Sequence, residues 1–206
     1  MNRHRTAPGL PKGSWRSPLR AHRPQARLRV RFDLQAAGSP PPQRPAPYTL
    51  EMPSIERRLS EFRTVLESAG LASALAVLNS NVPHRYSAAY RLTGAMLRNQ
   101  FLFDKQGKIS PDFLMVVPFD SSFCQFVFRE GVFNTADSSL DSRLANHPYQ
   151  GVVISYTGVP VIDQFGSGEI VGSLCHFDLI RHTLEDDEFE VLQRASRLIT
   201  PAMLGA

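Results

Sequence analysis

The sequence predicts an α+β fold with an antiparallel sheet over residues 52–206. Two observations carry this prediction. Helical periodicity lies at the two ends of this region, with strand patterns between them. Successive strands are joined by turns more often than by helical crossovers, which favours antiparallel pairing. Residues 1–51 have a different composition and form a separate segment.

The first predicted element is a helix that begins after Ser54, a suitable N-cap. Apolar residues then recur at steps of four and three, at Ile55, Leu59, Phe62, Leu66 and Ala69. Gly70 shifts this pattern. Further leucines continue it at Leu71, Leu75 and Leu78, to about Asn79. The pattern predicts one kinked helix or two short ones.

The middle of the chain predicts five strands and one short helix. Alternating or apolar runs place the strands at 86–92, 97–104, 113–118, 152–163 and 169–178. A short helix follows the third strand, because Ser122 and Gln125 have capping-box spacing and Gly131 suits the C-terminal end. Residues 135–151 are predicted to be an irregular connection.

The last predicted element is a helix in TLEDDEFEVLQRASRLI, with Thr183 as its cap. The acidic run at 185–188 falls in its first turn, and Arg194 and Arg197 lie toward its other end. Because carboxylates at a helix N-terminus complement the helix dipole, we interpret this run as capping charge and not as a metal cluster.

The N-terminal segment, 1–51, is basic and rich in proline. It holds nine arginines and one lysine against Asp33 and Glu51, and nine of the 16 prolines, whereas the rest of the chain is slightly acidic. This composition predicts disorder. Three interpretations compete. The segment could be a basic arm that binds nucleic acid or an anionic membrane, or it could be a transit peptide. We favour the third, in which the native protein starts at Met52, and we expect neither a nucleic-acid nor a membrane partner.

The sequence lacks the features that are typical of several classes of protein. It has no secretory signal and no apolar run long enough to span a bilayer, and two cysteines make no disulfide framework. A cytoplasmic location is therefore the expectation. The sequence also has no Walker A loop, GxSxG, HExxH or paired CxxC, the patterns typical of nucleotide hydrolysis, acyl transfer and zinc sites.

Cys175 and His176 are adjacent in a predicted strand, GEIVGSLCHFD. Because successive side chains of a strand point to opposite faces, the pair cannot easily serve one metal or one substrate atom. A buried free cysteine commonly packs as a small apolar side chain. Taken alone, the residues of this strand therefore favour a structural role for Cys175.

Four motifs, taken in order, resemble the GAF domain. They are SFC (122–124), DSRLANHPYQG (141–151), SYTGVPVID (155–163) and GEIVGSLCHFD (168–178), followed by the helix that begins TLEDDEFEVLQ. The resemblance is to GAF domains attached to bacterial diguanylate cyclases and histidine kinases, and it covers roughly 54–204. Leu144 and Val161 depart from the usual Phe and Leu.

The resemblance implies a GAF-like, PAS-like central antiparallel sheet. The terminal helices would pack on one face, and a ligand pocket would lie on the other. Tyr156, Cys175 and Phe177 would face this pocket, whereas Leu174 and His176 would face the helices. The predicted ligand-binding residues are Phe123, Cys124, Phe126, His147, Tyr149, Tyr156, Cys175 and Phe177. An aromatic lining with a few polar tips suits a small planar or apolar ligand, and the alternative is a packed core without a ligand. The resemblance names no cofactor.

The function that the resemblance implies is a non-enzymatic sensor or regulatory GAF domain in signal transduction, standing alone. It would act on a signalling protein or through a homodimer formed by the terminal helices, 55–78 and 184–204. The alternatives are a small cytosolic enzyme of the free methionine sulfoxide reductase type and a thiol redox sensor using Cys124 and Cys175. Against the enzyme, Cys175 and Phe177 stand where that family has carboxylates. Bilin attachment through Cys175-His176 is disfavoured because that motif belongs to a helix.

Overall fold

The computed structural model describes residues 55–108 and 112–205. The predicted disordered extension over 1–51, the proposed start at Met52 and the predicted cap Ser54 lie outside the described residues. The sequence-based prediction of an α+β fold with an antiparallel sheet is confirmed.

Four helices and six strands make up the described fold. The helices are α1 (Ile55–Asn79), α2 (Cys124–Glu130), α3 (Asp186–Leu198) and α4 (Thr200–Leu204). The strands are β1 (Tyr86–Thr93), β2 (Met96–Asp104), β3 (Val116–Pro118), β4 (Phe133–Thr135), β5 (Ser155–Ile162) and β6 (Ile170–Asp178). Short 3₁₀ turns, most of them in the connections around α2 and β4, complete the chain.

All six strands form one antiparallel sheet in the order β3-β2-β1-β6-β5-β4. The long central pair, β1 and β6, aligns Ala88 with Cys175. In β2 the register skips Gln100, so that Ala89 pairs with Phe101 and Tyr90 with Asn99. This bulge changes which residues of β2 face each side of the sheet.

The two faces of the sheet carry separate cores. On one face, α1 and α3 pack through aliphatic side chains against residues of β5 and β6 such as Val159, Val161 and Leu174. We call this the helix face. On the other face, α2 and the connections around it cover Tyr86, Ala88 and Tyr90 of β1 and their neighbours. We call this the cavity face.

The kink predicted in α1 lies at Gly70, whose backbone angles are φ 80° and ψ 177°. Residues with side chains rarely adopt this conformation, so glycine permits the sharp change of direction. Val77 and Leu78 beyond the kink line one cavity together with Arg58 and Phe62 before it. The kink therefore lets both halves of α1 lie on the helix face.

Some predicted boundaries and caps were wrong. Ser122 does not cap α2, because Phe123 is the N-cap and the Ser122 hydroxyl donates instead to the carbonyl of Phe119. Thr183 does not cap α3, which begins after Glu185. A 3₁₀ turn, Phe119–Ser121, precedes α2, whereas residues 181–185 before α3 are irregular.

Two strand predictions also need correction. The third strand was predicted at 113–118, but its first half is a 3₁₀ turn and only Val116–Pro118 pairs with β2. Strand β4 was not predicted at all. Three residues are too few for an alternating pattern, and β4 is defined by its pairing with β5. The predicted C-terminal end of α2 at Gly131 is confirmed, with φ 79°.

Candidate functional site

A small cavity lies on the cavity face, between the sheet and α2. Its volume is about 50 Å³, which leaves room for only a few non-hydrogen atoms. Its lining combines aromatic, aliphatic, hydroxyl and thiol groups, from Tyr90, Leu97, Leu114, Val117, Ser122, Phe123, Cys124, Tyr149, Val153, Tyr156, Cys175 and Phe177. None of these described lining residues carries a charged side chain.

Small residues beside Cys175 make space for the floor of the cavity. Cys175 of β6 lies between Ala88 of β1 and Gly158 of β5 in the sheet register. A methyl group at Gly158 would lie 2.4 Å from the Tyr156 hydroxyl oxygen, so the Tyr156 ring occupies the space above this glycine. The Y-x-G spacing of the sequence is explained by this arrangement.

Tyr156 connects the two cysteines. Its hydroxyl lies 3.4 Å from Cys124 Sγ, and its side chain lines the cavity together with both cysteines. Ser173 donates a hydrogen bond to Cys124 Sγ at 3.1 Å, and Cys175 donates to the carbonyl of Ala88 at 3.6 Å. Both cysteines are free and buried. The floor of the cavity is therefore a network of neutral hydroxyl and thiol groups.

Burial holds these groups in their protonated forms. It raises the pKa of the Cys124 thiol and raises the pKa values of Cys175 and Tyr156 well above their ordinary range. Hydrogen bonds from Ser173 and Tyr156 oppose the shift at Cys124 without reversing it. Because the thiolate is the reactive form of cysteine, neither thiol is set up as a nucleophile at neutral pH.

Six of the eight predicted site residues line the cavity. They are Phe123, Cys124, Tyr149, Tyr156, Cys175 and Phe177. The other two, Phe126 and His147, lie beyond Phe123. Phe126 stacks on Phe133 with ring centroids 4.6 Å apart, and the His147 ring lies 4.8 Å from that of Phe123. Burial lowers the pKa of His147. Both residues thus support the cover of the cavity and do not form its wall.

The prediction missed six lining residues, and a signal existed for some of them. Tyr90 continues the alternation of Tyr86 and Ala88 on the cavity face, so the strand pattern could have included it. Leu97 could not be placed, because the bulge at Gln100 reverses the alternation along β2. The remaining four come from turns and irregular connections, or from β3, at Leu114, Val117, Ser122 and Val153.

The cavity approaches solvent beside Tyr149 and Phe113. Tyr149 is half-buried, and its ring lies 6.4 Å from that of Phe113, which is 45% exposed. The Tyr90 hydroxyl donates a hydrogen bond to the carbonyl of Leu114, at 3.0 Å. The turn at 112–114 is thereby attached to the cavity wall.

Two properties of the described residues bear on other functional classes. No helix in the described ranges is long and apolar enough to cross a bilayer. Within those same ranges, no group of three or more His, Cys, Asp or Glu residues is arranged to hold a metal ion.

Comparison with solved structures finds proteins of the same fold. The GAF domain of a phosphoenolpyruvate-protein phosphotransferase from Coxiella burnetii is 16% identical with a TM-score of 0.58, over 74% of this chain and 94% of that one. The phycocyanobilin-bound GAF domain of a cyanobacterial phytochrome is 14% identical with a TM-score of 0.56, over 74% and 94%.

An enzyme shares this fold as well. The free methionine-R-sulfoxide reductase of Neisseria meningitidis, solved in complex with its substrate, is 17% identical with a TM-score of 0.55, over 71% of this chain and 86% of that one. No protein-family model matches the chain, and no curated protein matches it. At such low identities the likeness establishes the fold. The chain therefore has a GAF-like fold, as the four sequence motifs predicted.

Proposed function

We propose that the chain is a non-enzymatic regulatory domain that binds a small neutral molecule in the cavity between the sheet and α2. The observation that carries this proposal is the lining itself, which offers aromatic faces, hydroxyls and protonated thiols and no described charged side chain. Such groups orient an uncharged, planar ligand through a few hydrogen bonds. Occupancy would then influence a signalling partner or self-association.

The size of the cavity limits the ligand. A space of about 50 Å³ accepts a ligand of ordinary size only if side chains of the cover move. Tyr149 and Phe113 are the side chains best placed to do so, because both lie where the cavity approaches solvent. A ligand that binds the open arrangement better would shift the population toward it.

The proposal is tested by native mass spectrometry of the full chain purified from cells, followed by a denaturing mass of the same sample. We expect an additional mass that is lost on denaturation. Cys124→Leu, which fills the cavity, should abolish it, and the matched control Cys124→Ser should retain it. A ligand-free wild-type chain whose spectra are also unchanged by millimolar phenol would contradict the proposal.

The second candidate is reduction of free methionine sulfoxide. The observation that favours it is the placement of both thiols on one cavity, with the Tyr156 hydroxyl 3.4 Å from Cys124 Sγ. In this reaction the sulfoxide oxygen would leave as water, with the protons of the two thiols, while the two sulfurs form a disulfide. An added thiol would then reduce the disulfide. The raised pKa values of both cysteines and the lack of a described carboxylate in the lining oppose it.

The same position separates the two candidates. Cys124→Ser removes a thiol but preserves the size and neutrality of the side chain. The regulatory proposal expects the wild-type chain to show no sulfoxide reduction in the presence of dithiothreitol. Turnover by the wild type that Cys124→Ser abolishes would establish the enzyme instead.

A further inference from the structure

A buried polar cluster lies on the helix face, away from the cavity. It consists of Asn79, His84, Ser87, His176, Asp178 and His182, and we call it the histidine cluster. Its innermost members are closed to solvent, with exposures of 0% for Asn79 and His176 and 1% for His84. The cluster joins the end of α1 to the central strands β1 and β6.

Hydrogen bonds connect the cluster from the end of α1 to β6. Asn79 Nδ2 donates to the carbonyl of His84 at 3.2 Å and to Ser87 Oγ at 2.6 Å. Ser87 Oγ in turn lies 2.6 Å from His176 Nδ1, and the tautomer of the imidazole decides which of these two atoms donates.

Three polar atoms of this cluster are buried without a hydrogen-bond partner. They are Asn79 Oδ1, His84 Nδ1 and His176 Nε2. Unpaired buried polar atoms are uncommon and costly, and a positive charge on such a ring would be more costly still. The cluster is thus compatible with neutral imidazoles and poorly prepared for protonated ones.

The histidine rings are close enough for charges to repel. The ring centroid of His84 lies 6.0 Å from that of His176 and 5.4 Å from that of His182. Lys105, at the end of β2, and Arg58 of α1 add positive charge near these rings, although Glu188 of α3 pairs with Arg58.

Negative charge near the cluster is already engaged. Asp178 contacts His182 Nε2 at 3.2 Å and accepts a hydrogen bond from the backbone of Arg85. The Arg85 guanidinium pairs with Asp104. Asp178 favours the charged form of His84, but burial and the neighbouring positive groups outweigh it and lower the pKa of His84 to about 4. Burial likewise lowers the pKa of His176 well below its ordinary value.

The Ser87–His176 pair is not a nucleophilic site. Both side chains are 0% exposed and lie beneath the helix layer, so a substrate has no access. The cluster also has no group of described residues arranged for a metal ion. Its remaining property is its response to protons.

We propose that the histidine cluster is an acid-sensitive attachment of the end of α1 to the sheet, which loosens when His84 and His176 are protonated. Asn79, the last residue of α1, connects to the sheet through Ser87 and to the chain beyond the helix through the carbonyl of His84. Protonation separates the rings and disrupts these bonds. The histidine cluster and the cavity lie on opposite faces of the same strand, because His176 alternates along β6 with Cys175 and Phe177.

The pH range follows from His84. In the unfolded chain this residue has its ordinary pKa of 6.5, and in the fold about 4. The unfolded chain therefore binds more protons below pH 6.5, and stability is lost as the pH falls from 6.5 toward 4. For His84 alone, the ratio of folded to unfolded chain should fall on the order of a hundredfold between pH 7 and pH 4.

The test measures urea unfolding of the full chain between pH 7 and pH 4. His84→Gln keeps a neutral polar side chain that takes up no proton, so it should remove most of this hundredfold loss. His147→Gln, on the cavity side, is the control and should remove much less. A His84→Gln profile parallel to the wild type, or an equal effect of His147→Gln, would overturn the proposal.

A second measurement does not depend on the folding of a variant. In the wild-type chain, carbon-detected NMR of the histidine rings follows each imidazole during the same titration. We expect the His84 ring to remain neutral to about pH 4 and the amide signals of 76–84 to change with it. A His84 ring that titrates near pH 6.5 in the folded chain would also overturn the proposal.

Discussion

The two faces of strand β6 differ in how tightly they are filled. Leu174, on the helix face, is 0% exposed and packs among the aliphatic side chains of α1 and α3. Cys175, the next residue, is equally buried but borders a cavity. Burial alone therefore does not distinguish a packed core from a site. Around this strand the composition does, because Leu174 lies among interlocking aliphatic side chains whereas Cys175 adjoins the aromatic rings that border the cavity.

The largest expected difference between the faces is in the cost of truncating these two neighbours. Leu174→Ala should lower the free energy of unfolding by about 3 kcal/mol, because it opens a new cavity in a filled core. Cys175→Ala should cost only about 1 kcal/mol, since a cavity already lies beside it. Urea unfolding of the full chain measures both. Equal costs would mean that the cavity face is packed as tightly as the helix face.

Two glycines provide a second contrast. A methyl group at Gly172, on the helix face, would lie 2.1 Å from the backbone oxygen of Tyr90, whereas one at Gly158 would meet the Tyr156 ring. Because backbone atoms of the sheet cannot move away, Gly172→Ala should lower the free energy of unfolding by about 3 kcal/mol. Gly158→Ala should lower it by only about 1–2 kcal/mol, because the Tyr156 ring can move into the cavity.

The Gly158 result can be checked by a double-mutant cycle. Tyr156→Leu removes the ring that the new methyl group would meet. In the Tyr156→Leu background, Gly158→Ala should therefore cost much less than in the wild type. Additive costs would show that the Tyr156 ring is not what makes glycine necessary at this position.

A smaller effect is expected at the end of β2, where an ion pair is sensitive to acid in a lower pH range than the histidine cluster of the helix face. Asp104 accepts two hydrogen bonds of 2.7 Å from Arg85, and this guanidinium lowers the pKa of its carboxyl to about 2. The ion pair of Asp104 with Arg85 therefore stabilises the fold above pH 3.8, and this stabilisation is lost as the pH falls toward 2. Asp104→Asn should cost about 1.5 kcal/mol at pH 7 and abolish that loss.

This lower range does not overlap the range from 6.5 to 4 assigned to His84. The stability of Asp104→Asn should therefore run parallel to that of the wild type between pH 6.5 and 4, about 1.5 kcal/mol lower, and the two should converge only at lower pH. An altered profile above pH 4 would show that Asp104 and the histidine cluster are coupled.

The last expected difference is in chemical reactivity and not in stability. Because burial keeps both thiols protonated, iodoacetamide at pH 7.5 should label the native chain at least about a hundredfold more slowly than the urea-unfolded chain. Mass spectrometry of the labelled chain gives both rates. Rapid labelling of native Cys124 would support a redox function for the cavity face.

The sequence predicted those parts of the fold that depend on repeating patterns. The alternation in β5 and β6 placed Tyr156, Cys175 and Phe177 on one face and Leu174 and His176 on the other, and the GAF-like resemblance identified which face holds the pocket. The kink at Gly70 was also visible, since glycine interrupts a regular spacing of leucines.

What the sequence did not reveal depends on contacts between distant segments. Strand β4 exists because Phe133–Thr135 pairs with β5, and the bulge at Gln100 arises from the pairing of β1 with β2. The histidine cluster was missed for the same reason. His84 and His182 stand almost a hundred positions apart and meet only when the end of α1 and the residues after β6 are brought together. The resemblance placed His147 among the ligand-binding residues of the cover, but the sequence could not show that its ring lies against Phe123 and outside the cavity lining.

The most direct test of a ligand site confined to one face is a phenol titration of the full chain followed by methyl NMR. Phenol is small, neutral and planar, and it carries one hydroxyl group. We expect the methyl signals of Leu97, Val117 and Val153 to shift with saturation, while those of Leu174, Val159 and Leu192 remain in place. Shifts confined to the helix-face methyls, or no saturable shift in either set, would contradict a ligand site on the cavity face.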